Sequence, residues 1–529
     1  MLKAHDLKEI LQTSTPSERF SSSVTEDWFL ERTRLAIDPY FEREFFTNLI
    51  HCMDRKKTIR EITALAIQEL DHFGEYNNEV DASLLHLMTC YQASSDLRES
   101  YQWLPIFQGL FTLAIFRGDA RRPLPSKKPL EVAPSAGKLD EFIFSIGKEA
   151  RRVGSLEQSW GNLLFALENR TQRPAVCEAL TKSAMATEDP LTFGLLMKAL
   201  DLSFAAAWKK NEVYLKRPFL RFWNSRENQS PHSAVQGQSL IASTPQLQLK
   251  AGDGEAWTTA EADELWKATS AYSAEAVWEL VRKWSDKGVS LDQWMTACQL
   301  VRGRLLFTMR REQWPIVFDS LEYANSLESA ARWDASRRLY YLAVNICDLV
   351  TTAKKITTQM PERPNWREGM QGLSTNLGKN QLVLRLDDAC ERGDRRHALD
   401  LLALILEDRG LTHSVSDRML LMASKQDGWT YERSSIPTAL ILTKAYQSGV
   451  RMQLSEGLMD DALYGLLRYI SDQREVALDE ARKRGNYGDG GLSKSTFDVS
   501  GGSKIVDRFV FNQLRNAQRI QVWPGEGKG

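Results

Sequence analysis

The sequence contains no Cys-x-x-Cys pair, and its six cysteines, Cys52, Cys90, Cys177, Cys298, Cys347 and Cys390, are scattered singly. That spacing argues against zinc ribbons and thioredoxin-type sites and leaves reduced, mostly buried thiols as the expectation. Neither charge is in excess, with 68 Lys and Arg against 69 Asp and Glu. No whole-molecule field therefore draws the chain to nucleic acid or an anionic membrane, and any polyanion site must be local. Long apolar runs are missing too. The most apolar stretches, 110–116 and 401–406, fall far short of the ~20 residues of a membrane-spanning helix. Residues 1–20 lack the apolar core of a secretory leader, so the expected location is cytoplasmic, with no membrane span. No Gly-x-Ser-x-Gly elbow, His-Glu-x-x-His pair or dinucleotide fingerprint occurs, which disfavours serine hydrolases, zincins and Rossmann dehydrogenases.

Strand-like alternation is scarce, confined to Gln246–Leu249, Arg508–Phe511 and Ile520–Trp523; a small hairpin is the most these runs predict. Helical spacing, by contrast, is everywhere. Ile59, Ile62, Ala66 and Leu70 share one face at three- and four-residue steps, as do Val277, Leu280, Val281 and Trp284, and Leu463, Leu466, Leu467 and Ile470. Thr258 lies three residues before Glu261, the spacing of a capping box, which places a helix start near Thr259. The apolar run from His397 to Asp408 is followed by Gly410, a residue suited to the left-handed turn that ends a helix.

At 529 residues, 43% of them apolar and 26% charged, the chain is folded and too long for one core, which usually stops growing at roughly 250–300 residues. Proline-dense Arg121–Lys138, the Ser-, Gln- and Gly-rich Asn224–Glu255, Thr357–Lys379 and the glycines after Gly485 punctuate it. The reading is an all-α, multi-block helical array or pseudo-symmetric bundle. Its blocks are 1–118, 139–223, 257–356 and 380–484, with a flexible Gly-rich tail, 485–529, that holds any hairpin. The tail's Gly488–Ser495 stretch resembles a phosphate-binding loop but has Ser493 where the second glycine belongs, and no strand precedes it. An echo links the first and third blocks: Gln102-Trp103-Leu104-Pro105-Ile106-Phe107, then Leu110, against Gln313-Trp314-Pro315-Ile316-Val317-Phe318, then Leu321. Trp, Phe and Leu keep the same intervals, so an ancient duplication, and hence a helical repeat, is one explanation; a coincidence of Trp-Pro helix starts is the other.

Candidate chemistry is sparse. Glu69 with His72, and Asp394 with His397, have the three-residue step that sets carboxylate and imidazole on one helix face, as in bundles that bind iron, manganese or zinc. Such pairs also arise by chance, and the residues name no other cofactor. His51 and Cys52 are adjacent and diverge by about 100° on a helix, too far for a thiol-imidazole pair; His86, in apolar company, reads as a hydrogen-bonded core residue. From Trp208 to Trp223, cations Lys209, Lys210, Lys216, Arg217 and Arg221 alternate with Trp208, Tyr214, Phe219, Phe222 and Trp223. This composition suits an amphipathic helix whose cations snorkel to water, a protein or peptide interface, or a single-strand contact, favoured in that order. Trp294, Trp314 and Trp333 are the tryptophans to inspect for a ligand cavity. The leading functional expectation is a helical scaffold or protein-interaction protein, with a protein partner favoured over nucleic acid. An all-helical, metal-dependent oxidoreductase and a nucleic-acid accessory factor are the alternatives, and oligomeric state is open.

Overall fold

Helix starts follow from local chemistry. In the computed structural model Thr258 and Glu261 form the expected capping box, Glu261 Oε2 accepting the Thr258 N–H at 2.8 Å and Thr258 Oγ1 the Glu261 N–H at 3.3 Å. Thr58 with Glu61, and Ser290 with Gln293, use the same device. The structure describes residues 58–70, 78–97, parts of 102–113, 139–147, 150–151, 154–187, 189–225, 232–250, 254–309, 313–356, 378–424 and 435–483. Among these there is no strand.

The helices are α1 (Ile59–Glu69), α2 (Asn78–Asp96), α3 (Leu139–Ser145), α4 (Leu156–Glu168), α5 (Arg173–Met185), α6 (Pro190–Ala205), α7 (Asn211–Asn224), α8 (His232–Ser243) and α9 (Thr259–Ser270). They continue as α10 (Ala274–Ser285), α11 (Leu291–Thr308), α12 (Trp314–Trp333), α13 (Arg338–Ile356), α14 (Lys379–Arg392), α15 (Arg395–Ile405), α16 (Arg409–Ser424), α17 (Ile436–Arg451) and α18 (Glu456–Lys483). The architecture is an all-α helical array. None of these helices is long and apolar enough to cross a membrane.

Two compact units emerge, each assembled from segments distant in sequence. The first comprises residues 1–129, 423–436 and 473–529; the second, residues 130–422 and 437–472. In the first, α1 packs on α2 around Ile62, Leu65, Leu84, Leu87 and Met88. Gly109 lies so close to α2 that a Cβ there would stand 3.0 Å from the Leu87 Cα and 3.1 Å from the Cys90 Cβ. In the second, α11, α12 and α13 pack mutually, α6 joins α12 to α5 and α7, and α9 and α10 cover α13. The core there includes Trp160, Trp278, Trp284 and Trp294, all essentially without exposure.

Three local expectations are corrected. Within the stretch read as a linker, residues 232–243 form α8, which packs along α13. A Cβ at Gly237 would approach Val344 Cγ2 to 2.8 Å and Val344 N to 3.1 Å, so the small residues that mimic linker composition here permit close helix contact. Residues 246–249 form no strand; they lead to Lys250, whose carbonyl accepts the Leu291 N–H at 2.9 Å. Gly410 ends no helix. It lies in the first turn of α16, its N–H bound by Asp408 Oδ1 at 3.0 Å, whereas left-handed glycines stand elsewhere, Gly393 at φ 69°, closing α14, and Gly288 at φ 83°. The runs 508–511 and 520–523, Gly488–Ser495, and Trp103 and Phe107 of the echo lie outside the described residues.

Candidate interaction surface

Helix α6 ends in a way that fixes a surface. The Trp208 N–H donates to the Ser203 carbonyl at 2.7 Å and the Ala207 N–H to Phe204 at 2.8 Å, the paired bonds of a Schellman turn. Gly393 closes α14 with the same pair of bonds, and left-handed backbone costs glycine nothing. At α6 the left-handed residues are instead Ala207, φ 53°, and Trp208, φ 64°. Two consecutive side-chain-bearing residues there cost about 1–2 kcal/mol each.

The strain sets the Trp208 ring edge-to-face against Phe204, centroids 6.5 Å apart, and against Trp333 at the end of α12, 6.0 Å apart; Phe204 and Trp333 meet likewise at 5.8 Å. Each such pair contributes about 0.5–1.5 kcal/mol beyond area burial, enough to offset the turn. Yet Phe204 remains 64% exposed, so the arrangement leaves a large apolar ring in water.

Asp201, one turn before Phe204, anchors the cluster from below. Its carboxylate accepts Trp333 Nε1 at 3.1 Å, Ser329 Oγ at 2.7 Å and Arg332 Nη2 at 3.2 Å. Lys198, a further turn back, is buried, which pushes its amine down to about 8 although Asp201 and Glu322 pull the other way. The Arg173 guanidinium lies 5.4 Å from the Trp208 ring centroid while its Nε caps the end of α4 through the Leu167 carbonyl at 2.6 Å. Lys209 and Lys210, next in sequence, are exposed.

Of the basic-aromatic run, then, Trp208, Lys209 and Lys210 belong to this surface. Tyr214, Lys216, Arg217, Arg221 and Trp223 are buried in α7. Arg221 is spent on Thr192 at 2.9 Å and Asp189 at 2.8 Å, where it and Thr192 hold the Asp189 carboxyl below its usual range against the opposing effect of burial. Lys216 and Arg217 are likewise engaged inside the fold. Phe204 and Trp333 lie outside that run; only the turn and the end of α12 bring them together with Trp208.

Other candidates resolve locally. Asp394 caps α15, its Oδ1 accepting the His397 N–H at 3.1 Å, so this three-residue step serves a helix start. Glu69 ends α1, and His72 lies outside the described residues. Among the described residues no group of three His, Cys, Asp or Glu side chains is placed to hold a metal ion. Trp294 stacks on Trp284 at 5.0 Å, Trp314 packs on Tyr469 at 5.0 Å and Trp333 joins the surface cluster, so these three tryptophans do not line one site. All five described cysteines are buried thiols outside any disulfide; burial pushes the Cys177 and Cys347 thiols up to about 12 and Cys298 to about 11.

His86 is buried in α2, its Nε2 3.4 Å from Cys90 Sγ one turn on. Burial pulls its imidazole down to about 4 from 6.5, so it is a neutral hydrogen-bonding partner and not an imidazolium that could activate a thiolate. Between those values the unfolded chain binds a proton that the native residue refuses, and stability falls as pH drops from 6.5 toward 4. Urea midpoints at about pH 7 and about pH 5 should show that loss, and His86→Gln should reduce it; an equal loss in the variant would remove His86 as its source. Comparison of the chain with protein-family models, with curated proteins and with solved structures finds no match.

Proposed function

We propose that this chain is a helical scaffold that binds a protein partner through Phe204, Trp208 and Trp333. The observation that carries the reading is the strained turn at Ala207 and Trp208, which holds a preformed aromatic cluster at the surface with Phe204 left 64% exposed. Backbone strain of this kind persists where the surrounding structure over-determines it and gathers at functional sites. Aromatic side chains and Arg dominate interface hot spots because they contribute large, stiff contact area. Ile143, Phe144, Phe165, Val235 and Leu384 are also exposed in the second unit, Phe144 at 77%. It is therefore the packing of Phe204 against two tryptophan rings at a strained turn, not its exposure alone, that marks this surface.

A repeated helical pair is consistent with a scaffold. Asn78–Asp96 and Leu291–Thr308 each precede one member of the Trp-Pro echo. Six residues after the respective tryptophans stand Gly109 and Ser320, and each faces its preceding helix, Gly109 against Leu87 and Cys90 and Ser320 against Arg302. Unlike crossing angles of the two helix pairs, measured by crystallography, would end this part of the reading.

The test of partner binding is the Phe204→Ala/Trp208→Ala pair. Circular dichroism and melting should show a folded protein, because neither side chain is in the core. Partners captured by the wild-type chain should bind the variant at least about 30-fold more weakly, the equivalent of losing roughly 2 kcal/mol of hot-spot contact. Equal affinity for both proteins would defeat the proposal.

A further inference from the structure

We infer that the partner segment docking on Phe204, Trp208 and Trp333 is acidic: a peptide stretch in which Asp or Glu side chains flank an apolar residue. The inference rests on the docking role proposed above and adds the chemistry of the occupant. Charge complementarity carries it. Arg173 lies over Trp208, Arg332 is 56% exposed on the side chain beside Trp333, and exposed Lys209 and Lys210 follow Trp208 directly. Exposed Arg170 adds a fifth cation near the end of α4. The acid beneath the rings, Asp201, is already committed to Trp333, Ser329 and Arg332, leaving Glu168 and Glu212 as the exposed carboxylates on the adjoining helix ends. An apolar side chain packed on Phe204 would thus meet a rim of net positive charge, which attracts carboxylates and repels a basic segment.

Ring geometry separates a peptide from a single nucleic-acid strand. Successive bases need free aromatic faces on which to stack. Here the three rings are packed edge to face on one another at 5.8–6.5 Å, and Trp208 also carries Arg173. What remains is an apolar knob within a cationic rim. That shape suits an apolar side chain with acidic neighbours.

A random dodecapeptide phage library panned on the full chain, with Phe204→Ala/Trp208→Ala protein as counter-selection, provides the test. The selected peptides should be enriched at least threefold in Asp and Glu over the input library. Measured by fluorescence anisotropy, their affinity should fall at least tenfold for Lys209→Glu/Lys210→Glu protein, whose exposed substitutions leave the fold intact, and should fall with added salt. Trp208-dependent peptides that are neutral or basic would overturn the acidic assignment while leaving the docking surface standing. Failure to select any Trp208-dependent peptide would overturn both. A fluorescein-labelled dT12 strand that binds more tightly than the peptides, and needs Trp208, would replace a protein occupant with nucleic acid.

Discussion

Replacing Arg302 with Met should cost the second unit about 3 kcal/mol, far more than an ordinary surface substitution. Arg302 is wholly buried in α11. Its Nε donates to Ser320 Oγ at 2.6 Å on α12, and its Nη2 to the Asn345 carbonyl at 3.1 Å and Asp348 Oδ2 at 2.8 Å on α13. The Ser320 hydroxyl in turn donates to the same Asp348 oxygen, so one guanidinium links three helices. Methionine replaces the cation with an apolar side chain and leaves Asp348 without its partner, while the Asn345 carbonyl loses its second donor and keeps its bond within helix α13. Breaking one partner of a buried pair typically costs ~3–5 kcal/mol. The Asp348 side chain retains 21% exposure, so water offsets part of that and the lower end applies.

The control is the pair itself. Arg302→Met/Asp348→Leu removes both charges and should recover much of the loss, since a buried ion pair replaced by apolar side chains is often neutral or stabilising. Denaturant titration followed by tryptophan fluorescence reads both variants. A single variant within about 0.5 kcal/mol of wild type, the range of ordinary surface substitutions, would show that the network does not tie the helices.

Such networks mark the limit of what the sequence discloses. Local features are legible in it. The capping box at Thr258 and Glu261 and the proline-entered helix at Trp314 each depend on residues a turn apart, and periodic apolar faces betray helices directly. Arg302 carries no such signal, because its partners Ser320, Asn345 and Asp348 come from two other helices. The same holds for the aromatic surface: Trp208 stands out by composition, but Phe204 precedes the basic-aromatic run and Trp333 arrives from the far end of α12. Composition also misleads at α8, where Ser, Gln and Gly read as linker while Gly237 is needed for approach to Val344. Gly410 misleads for a related reason. Glycine announces conformational freedom, but whether a helix ends there depends on its neighbours, and Asp408 opens the next helix instead.

Glycine at a helix crossing yields the other large effect. A Cβ on Gly465 of α18 would overlap the Gly303 carbonyl oxygen of α11 and lie 3.0 Å from its carbonyl carbon and 3.2 Å from the Phe307 N. All three are backbone atoms, so no rotamer change can relieve the contact. Gly465→Ala must separate the helices, which also disturbs the buried Arg304–Asp461 pair, 3.3 Å apart across the same two helices, and the Arg304 guanidinium 3.6 Å from the Trp266 ring centroid. Overpacking costs ~1–3 kcal/mol and occasionally more. The ~1 kcal/mol gained when alanine replaces a helical glycine offsets only part, and a net loss of about 2 kcal/mol is expected. Gly449→Ala in α17 is the matched comparison. Its nearest neighbours are the Met459 Sδ at 2.9 Å and Cγ at 3.3 Å, the flexible end of a side chain that can swing aside, so this substitution should be neutral or slightly stabilising. Melting curves of the two single variants decide the matter. Equal shifts would mean that helix propensity, common to both, governs these positions; a fall confined to Gly465→Ala would show that backbone contact between α11 and α18 holds this crossing together.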